Sequence, residues 1–377
     1  MIRNKSYPVG SHPDLPPPAS EVGVSGWCRK NLFSTPTDII FTLLAVYVLY
    51  AVVPGFVQWA FIDAIWVAAD RAECWELMES PGSAACWAFA SVRLNQLLYG
   101  FYPATEIWRI NLSFVLLFVA IAPVLFDKVP FRKPLFIFTV LYPFVAGWLI
   151  FGWFALPQVQ SQDIGGLALT LIIGITGIAF SLPLGILLAL GRTSDLPVIK
   201  ILSVLFIEFI RGVPLIALLF IASTMLNYFM PPGTTFDLLV RVLIMVTLFA
   251  SAYMAEVIRG GIAGIPKGQI EAANAAGLSY WKTMYLIVMP QVLKISIPGI
   301  VNTFIGLFKD TTLVLIIGMF DLLGMGKAAL TNLSWAGLHR ELYIFVAVVF
   351  FLCCYGMSLY SGYLERKLDT ENKFQKK

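Results

Sequence analysis

The sequence predicts an all-α, polytopic membrane protein with about eight transmembrane helices. Three observations carry that reading. Hydrophobic residues make up 59% of the 377 residues and charged residues only 13%, about half the charge of an average soluble domain. Apolar runs of the ~20 residues needed to cross a bilayer recur along the chain. Lysine and arginine gather on alternate connections, the pattern that sets orientation in the membrane. A chain of this kind has lipid as its main solvent. That excludes a cytosolic enzyme and a disordered chain. It also excludes a nucleic-acid binder despite the pI of 8.7, because the net charge of +4 is loop bias.

Residues 1–38 carry Pro16-Pro17-Pro18 and scattered Gly and Ser. They read as a flexible cytoplasmic tail, with no cleavable signal. Spans are expected near 39–61, 109–126, 135–155, 164–190, 199–229, 238–258, 286–318 and 342–364. With the N-terminus inside, the inner segments hold Arg3, Lys5, Arg29 and Lys30; Lys128, Arg132 and Lys133; Arg192 and Lys200; Arg259, Lys267 and Lys282; and the basic tail 366–377. The outer ones hold Arg71, Arg93, Lys327 and Arg340. Both termini are therefore expected in the cytoplasm.

The first three spans and the outer loop 62–108 form an accessory region, 39–160, set off by the polar stretch Pro157–Asp163. Its spans are nearly free of ionisable groups, which suggests packing or docking. Arg109, at a helix end, can snorkel to the interface. The loop is acidic (Asp63, Asp70, Glu73, Glu76, Glu79) and carries Trp66, Trp75 and Trp87, suited to the membrane–water boundary. Cys74 and Cys86 share this loop. In an oxidising compartment they close a disulfide; otherwise they are two free thiols. With no Cys-x-x-Cys spacing and only His12 and His339, no metal site is expected.

Residues 161–365 are different, because charges sit inside their apolar runs. Glu208 and Arg211 are three apart and share a helix face. Gly212 and Pro214 follow at once, and proline kinks a helix. Asp237 and Arg241 lie at the outer end of the sixth span and Glu256 at its inner end. Lys309, Asp310, Thr311 and Thr312 lie deep in the seventh. Such groups either pair to hold helices together or line a path for a polar solute.

Between spans six and seven, residues 259–285 read as a cytoplasmic elbow of two short helices. Pro266 suits a helix start. The stretch from Glu271 through Ala276 is strongly helix-forming. Gly277 suits the left-handed cap that ends it. Leu278 to Tyr285 can begin the second helix. The small alanine face lets a partner approach closely.

Glu271-Ala272-Ala273, then Gly277, then Pro290 resembles the EAA loop of ABC-transporter permeases. The flanks sharpen the likeness: Val257-Ile258-Arg259-Gly260-Gly261, Pro266-Lys267-Gly268-Gln269, Lys309-Asp310-Thr311-Thr312-Leu313, Thr170-Leu171 and Arg211-Gly212-Val213-Pro214-Leu215 resemble the polar-amino-acid permeases (histidine, glutamate and glutamine permease-like). The long N-terminal half, with Cys86-Trp87 and Phe101-Tyr102-Pro103, is similar to the general L-amino-acid permease subunits. The resemblance covers about 163–364 and implies a five-helix importer core at the C-terminal side, in a bacterial inner membrane. It implies a pair of ATP-binding subunits that carry ATP and magnesium, a homologous second permease subunit or a second copy, and a periplasmic amino-acid-binding protein. Glu271, Ala272, Ala273, Ala275, Gly277 and Pro290 would couple to the ATPase. Glu208, Arg211, Pro214, Glu256, Lys309, Asp310, Thr311 and Thr312 are candidates for the path, with Asp310 and Glu256 facing a substrate ammonium and Arg211 its carboxylate. The expected substrates are a broad range of L-amino acids.

No catalytic residue and no cofactor are expected on this chain. Its nearest approach to a phosphate loop, Gly324-Met325-Gly326-Lys327-Ala328, lacks the first glycine and ends in Ala where Ser or Thr would meet magnesium. The rival reading is an ion-coupled secondary transporter, which often shows an internal repeat; none is evident between the two halves.

Overall fold

The computed structural model describes residues 23–126, 128–225, 228, 231 and 236–368. The parts of the expected tails at 1–22 and 369–377 lie outside the described residues. The described chain is helical, with isolated bridges but no strand among the described residues. The helices used below are α1 (Gly23–Leu32), α2 (Pro36–Val57), α3 (Ile107–Leu125), α4 (Arg132–Phe151), α5 (Gly166–Arg192), α6 (Pro197–Gly212), α7 (Leu215–Phe220), α8 (Leu238–Ala263), α9 (Lys267–Ala275), α10 (Tyr280–Thr283), α11 (Met289–Asp310), α12 (Leu322–Ala329) and α13 (His339–Leu368).

Among the described residues, seven helical stretches are long and apolar enough to cross a membrane. An eighth span forms if α6 and the stretch Leu215–Met225 count as one, bent by 102°. The bend falls at Gly212–Pro214, where proline cannot continue the hydrogen-bond ladder. Helix α1 and the start of α2 fall within the expected flexible tail 1–38. α1 begins at Gly23, and the first span starts at Pro36 because Thr35 and Asp38 form a capping box, which satisfies two orphan backbone donors reciprocally.

The chain divides into two compact units. The first comprises residues 1–66 and 74–86; the second comprises 67–73 and 87–377. In the first unit, α2 buries none of its residues, as befits a helix whose neighbours are lipid tails. Cys74 and Cys86 are joined by a disulfide, with Cα atoms 6.1 Å apart. Ile65 N–H donates to Ala85 O at 2.8 Å beside it.

In the second unit, α3 and α4 fold together with the C-terminal spans, so no seam falls at residue 160. Tyr360 Oη of α13 donates to Leu125 O of α3 at 2.9 Å, and Ile110 and Ile150 share a buried cluster with Leu169 of α5. Polar ties also fasten α3 to α4 and to the stretch after it. Arg109 is fully buried rather than snorkelling. Its Nε donates to Leu149 O at 2.6 Å and its Nη1 to Pro157 O at 3.0 Å, while Glu106 lies 3.3 Å away. Tyr102 Oη donates to Ile150 O at 2.7 Å. The polar stretch around residue 157 is thus fastened to α3.

The centre of the second unit is the packing of α5 on α8 and α11. α5 carries small residues on that face, and small residues let membrane helices approach closely. A Cβ at Gly185 would stand 2.6 Å from Met254 Cβ, and one at Gly177 would stand 2.9 Å from Leu307 Cδ2. Ala189, Met254, Ala255, Ile258, Val288 and Val292 make one buried apolar cluster at the elbow end. Ile164, Leu169, Leu239, Val246 and Leu307 belong to another toward the opposite end.

Candidate functional site

The elbow is built as its residues dictate. α9 starts after Pro266 and ends at Gly277, whose φ of +74° is the left-handed value that favours glycine. Leu278 N–H donates back to Ala273 O and Gly277 N–H to Asn274 O, closing the turn in the manner of a Schellman cap. α10 follows and runs through a wider turn, Met284–Val288, into α11 with Pro290 in its first turn. Ile265 and Val288 insert into the buried cluster, with Ile270 and Met284 packed on it, and Ala273 is buried. Glu271, Ala272, Ala275 and Gly277 face outward, as do the rings of Tyr280, Trp281 and Tyr285. The elbow is a rigid knuckle bolted to α8 and α11, with one exposed face.

Two turns before the end of α8 sits a charged hub. One oxygen of Glu256 lies 3.3 Å from Arg192 of α5. The other lies 3.7 Å from Arg211 of α6 and 3.0 Å from Arg259 one turn further along α8. Arg192 also donates to Glu208 of α6 at 2.7 Å. The guanidinium of Arg211 lies over the Tyr253 ring at 5.5 Å, a cation–π contact. Glu208 and Arg211 therefore do not pair with each other, although they share a helix. Each reaches a different neighbour.

Asp310 and Lys309 end α11, the first half-buried and the second exposed. Thr311 Oγ1 donates to Phe308 O at 2.7 Å and Thr312 Oγ1 to Lys309 O at 3.0 Å, so both hydroxyl protons are engaged by backbone. Nor do Asp237 and Arg241 pair. Asp237 caps α8 through Leu239 N–H and accepts from Ser161. Arg241, buried, donates to Ala222 O at 2.9 Å and Ser223 O at 2.6 Å, closing off the end of the short stretch after the bend. The structure thus separates the path candidates into two groups: Glu208, Arg211 and Glu256 in the hub, and Lys309, Asp310, Thr311 and Thr312 at the end of α11, with Pro214 at the bend.

Over residues 181–370 the chain matches the family described as binding-protein-dependent transport system inner membrane component. It is 46% identical, over 96% of its length and 97% of the relative's, to the inner membrane amino-acid ABC transporter permease protein YhdY of Escherichia coli (strain K12). The chain belongs to this family. It is an amino-acid ABC-transporter permease subunit of the polar-amino-acid type, a multi-pass membrane protein with an importer's transport role rather than an enzyme's. It is also 45% identical, over 95% of its length and 96% of the relative's, to the glutamate/glutamine/aspartate/asparagine transport system permease protein BztC of Rhodobacter capsulatus. A shorter relative, the probable glutamine ABC transporter permease protein GlnP of Bacillus subtilis, is 32% identical over 53% of this chain and 90% of its own length. The permease therefore carries a stretch that such short relatives lack. The rival reading as an ion-coupled secondary transporter falls with the family match.

Sequence reasoning left three groups of this permease unassigned. Arg192 counted only as an inner-side positive charge and Arg259 as that and as part of a family motif, yet both complete the hub. Asp321, fully buried, caps α12 through Gly324 N–H at 2.9 Å and Leu323 N–H at 3.3 Å. Its signal was an Asp before a Leu-Leu-Gly helix start. Burial pushes its carboxyl up from 3.8 to about 6. The glycine-lysine stretch set aside as a phosphate loop lies inside the helix that Asp321 caps.

Proposed function

We propose that this permease subunit is driven through its elbow by a separate pair of ATP-binding subunits, which carry the ATP and magnesium. The observation that carries the reading is the elbow itself: an exposed face bearing Glu271, Ala275 and Gly277 on helices whose other faces are locked into the membrane core by Ile265 and Ala273. Coupling between two states needs a rigid contact of this kind. With the elbow inside, both termini lie in the cytoplasm of a bacterial cell and the disulfide-closed loop faces the periplasm. There a binding protein delivers the substrate. A homologous permease subunit, or a second copy, completes the path.

The cargo is an L-amino acid, and the name of BztC narrows the broad range expected from sequence to glutamate, glutamine, aspartate and asparagine as the first substrates to try. Asp310 is the candidate partner for the substrate ammonium, being a half-buried carboxylate with one neighbouring Lys309 charge and no ion pair within 4.0 Å among the described residues. Arg211 and Glu256 serve the substrate only by leaving the hub.

Reconstitution of the complete transporter in proteoliposomes tests the reading. Uptake should require ATP inside and persist when a protonophore collapses the proton gradient. Gly277→Trp and Glu271→Lys should each abolish uptake while the protein still reaches the membrane. Normal uptake in both variants would remove the elbow from the coupling path.

A further inference from the structure

We propose that Glu256 is the positioning residue of an ion-pair latch, formed with Arg192, Glu208, Arg211 and Arg259, that ties the elbow to the bend in the fifth span and must rearrange in each transport cycle. The inference rests on the ATP-coupled reading above and deepens it.

Three helices meet at this one carboxylate. Arg192 is the last residue of α5, Arg211 lies one residue before the end of α6, and Glu256 and Arg259 lie on the final two turns of α8. α6 ends at the 102° bend. α8 leads within a few residues to Pro266 and the elbow. A displacement of the elbow therefore reaches the bend through Glu256 by way of salt bridges 3.0–3.7 Å long. Packed helices have discrete arrangements rather than a continuum, so a shared carboxylate of this kind has bonded and broken states.

The geometry also argues against Glu256 as a resident ligand for substrate. Its side chain is 16% exposed and both oxygens already face guanidinium groups. A substrate ammonium would have to displace an arginine to reach it.

The charge balance ranks the members. The hub holds three guanidinium groups against two carboxylates. Removing Glu256 leaves three arginines around Glu208 alone, and their repulsion forces the ends of α5, α6 and α8 apart. Removing Arg259, the most exposed of the three arginines at 41%, leaves the charges balanced and the contact between helices intact. The latch thus predicts a large effect for Glu256→Gln, an intermediate one for Arg192→Gln or Arg211→Gln, and a small one for Arg259→Gln.

The test uses the full transporter in proteoliposomes, with ATP hydrolysis measured with and without the amino-acid-loaded binding protein. In Glu256→Gln, uptake should fall by about tenfold or more and the stimulation of hydrolysis by loaded binding protein should collapse, while the uptake KM stays within about twofold, since transition-specific and ground-state contacts separate in this way. A raised KM with stimulation preserved would make Glu256 a substrate contact and overturn the latch, as would equal effects for Glu256→Gln and Arg259→Gln. A second measurement does not depend on those variants folding. In a chain lacking Cys28, Cys353 and Cys354, Arg192→Cys and Glu208→Cys are bridged by a bis-methanethiosulfonate spacer. The double variant removes two latch members, so its own uptake in the reduced state is the baseline. Bridging should abolish that remaining uptake and reductant should return it to the baseline; uptake unchanged by bridging would overturn the proposal. Should the unmodified transporter show no ATP-driven uptake at all, the permease reading itself fails, a result distinct from either of these.

Discussion

Arg109 and Asp321 are both fully buried and both bond to backbone, Arg109 with Glu106 as an added ion-pair partner at 3.3 Å. Arg109 takes carbonyl oxygens from the end of α4 and from Pro157, and Asp321 takes the first N–H groups of α12. The cost of burial shows in Asp321, whose folded pKa of about 6 stands above its ordinary 3.8. The sign follows from linkage. The folded state holds the proton more tightly, so this residue's contribution to stability is full below pH ~4 and is lost as pH rises through ~6. The raised value corresponds to about 3 kcal/mol at most. Asp321→Asn keeps a cap acceptor and removes the charge. The variant should therefore flatten the fall in thermal unfolding temperature between pH 4 and 7 that the parent shows in detergent. An unchanged slope would mean that Asp321 does not titrate in that window.

The broken fifth span shows what sequence reveals about an element and what it hides. The kink was legible, because Gly212 and Pro214 act locally on the backbone of their own helix. What holds the short stretch beyond it was not. Arg241 lies on another helix, and its use of Ala222 O and Ser223 O depends on how α8 packs, which no local pattern encodes. The same limit applies to the hub: the i,i+3 spacing of Glu208 and Arg211 suggested a pair, and the structure sends them to Arg192 and Glu256 instead. Arg241→Met should leave two carbonyl groups without their donor, a loss of about 1–3 kcal/mol for each buried group left unsatisfied. The expected outcome is a lower unfolding temperature in detergent with the helical content unchanged, and Arg241→Lys should recover part of the loss. Equal stability of all three proteins would show that the stretch is held by its apolar contacts alone.

At the scale of the whole molecule, the spans were the most legible feature, since hydropathy sums over some twenty residues and tolerates local error. The elbow was legible for a different reason: proline at its start and glycine at φ +74° fix its shape by local backbone chemistry. The seam between compact units was not, because Ile110 and Ile150 pack with Leu169 and Tyr360 donates to Leu125 O, contacts between residues far apart in sequence that draw α3 and α4 into the unit of the C-terminal spans. A transporter of this design must carry force from an external engine through one exposed face. Ala275 sits on that face, two residues past the buried Ala273 and so on the opposite side of α9, clear of the core. A cysteine there disturbs nothing buried, so Ala275→Cys should keep uptake near the parent level. In native membranes it should then cross-link to an ATP-binding subunit through a short thiol reagent, with mass spectrometry naming the partner. The yield should differ between nucleotide-free and ATP-bound states, because a knuckle locked to α8 and α11 moves with whatever grips it. A functional Ala275→Cys protein that never yields an adduct with any ATPase would leave the elbow without an engine, and the coupling account would fall.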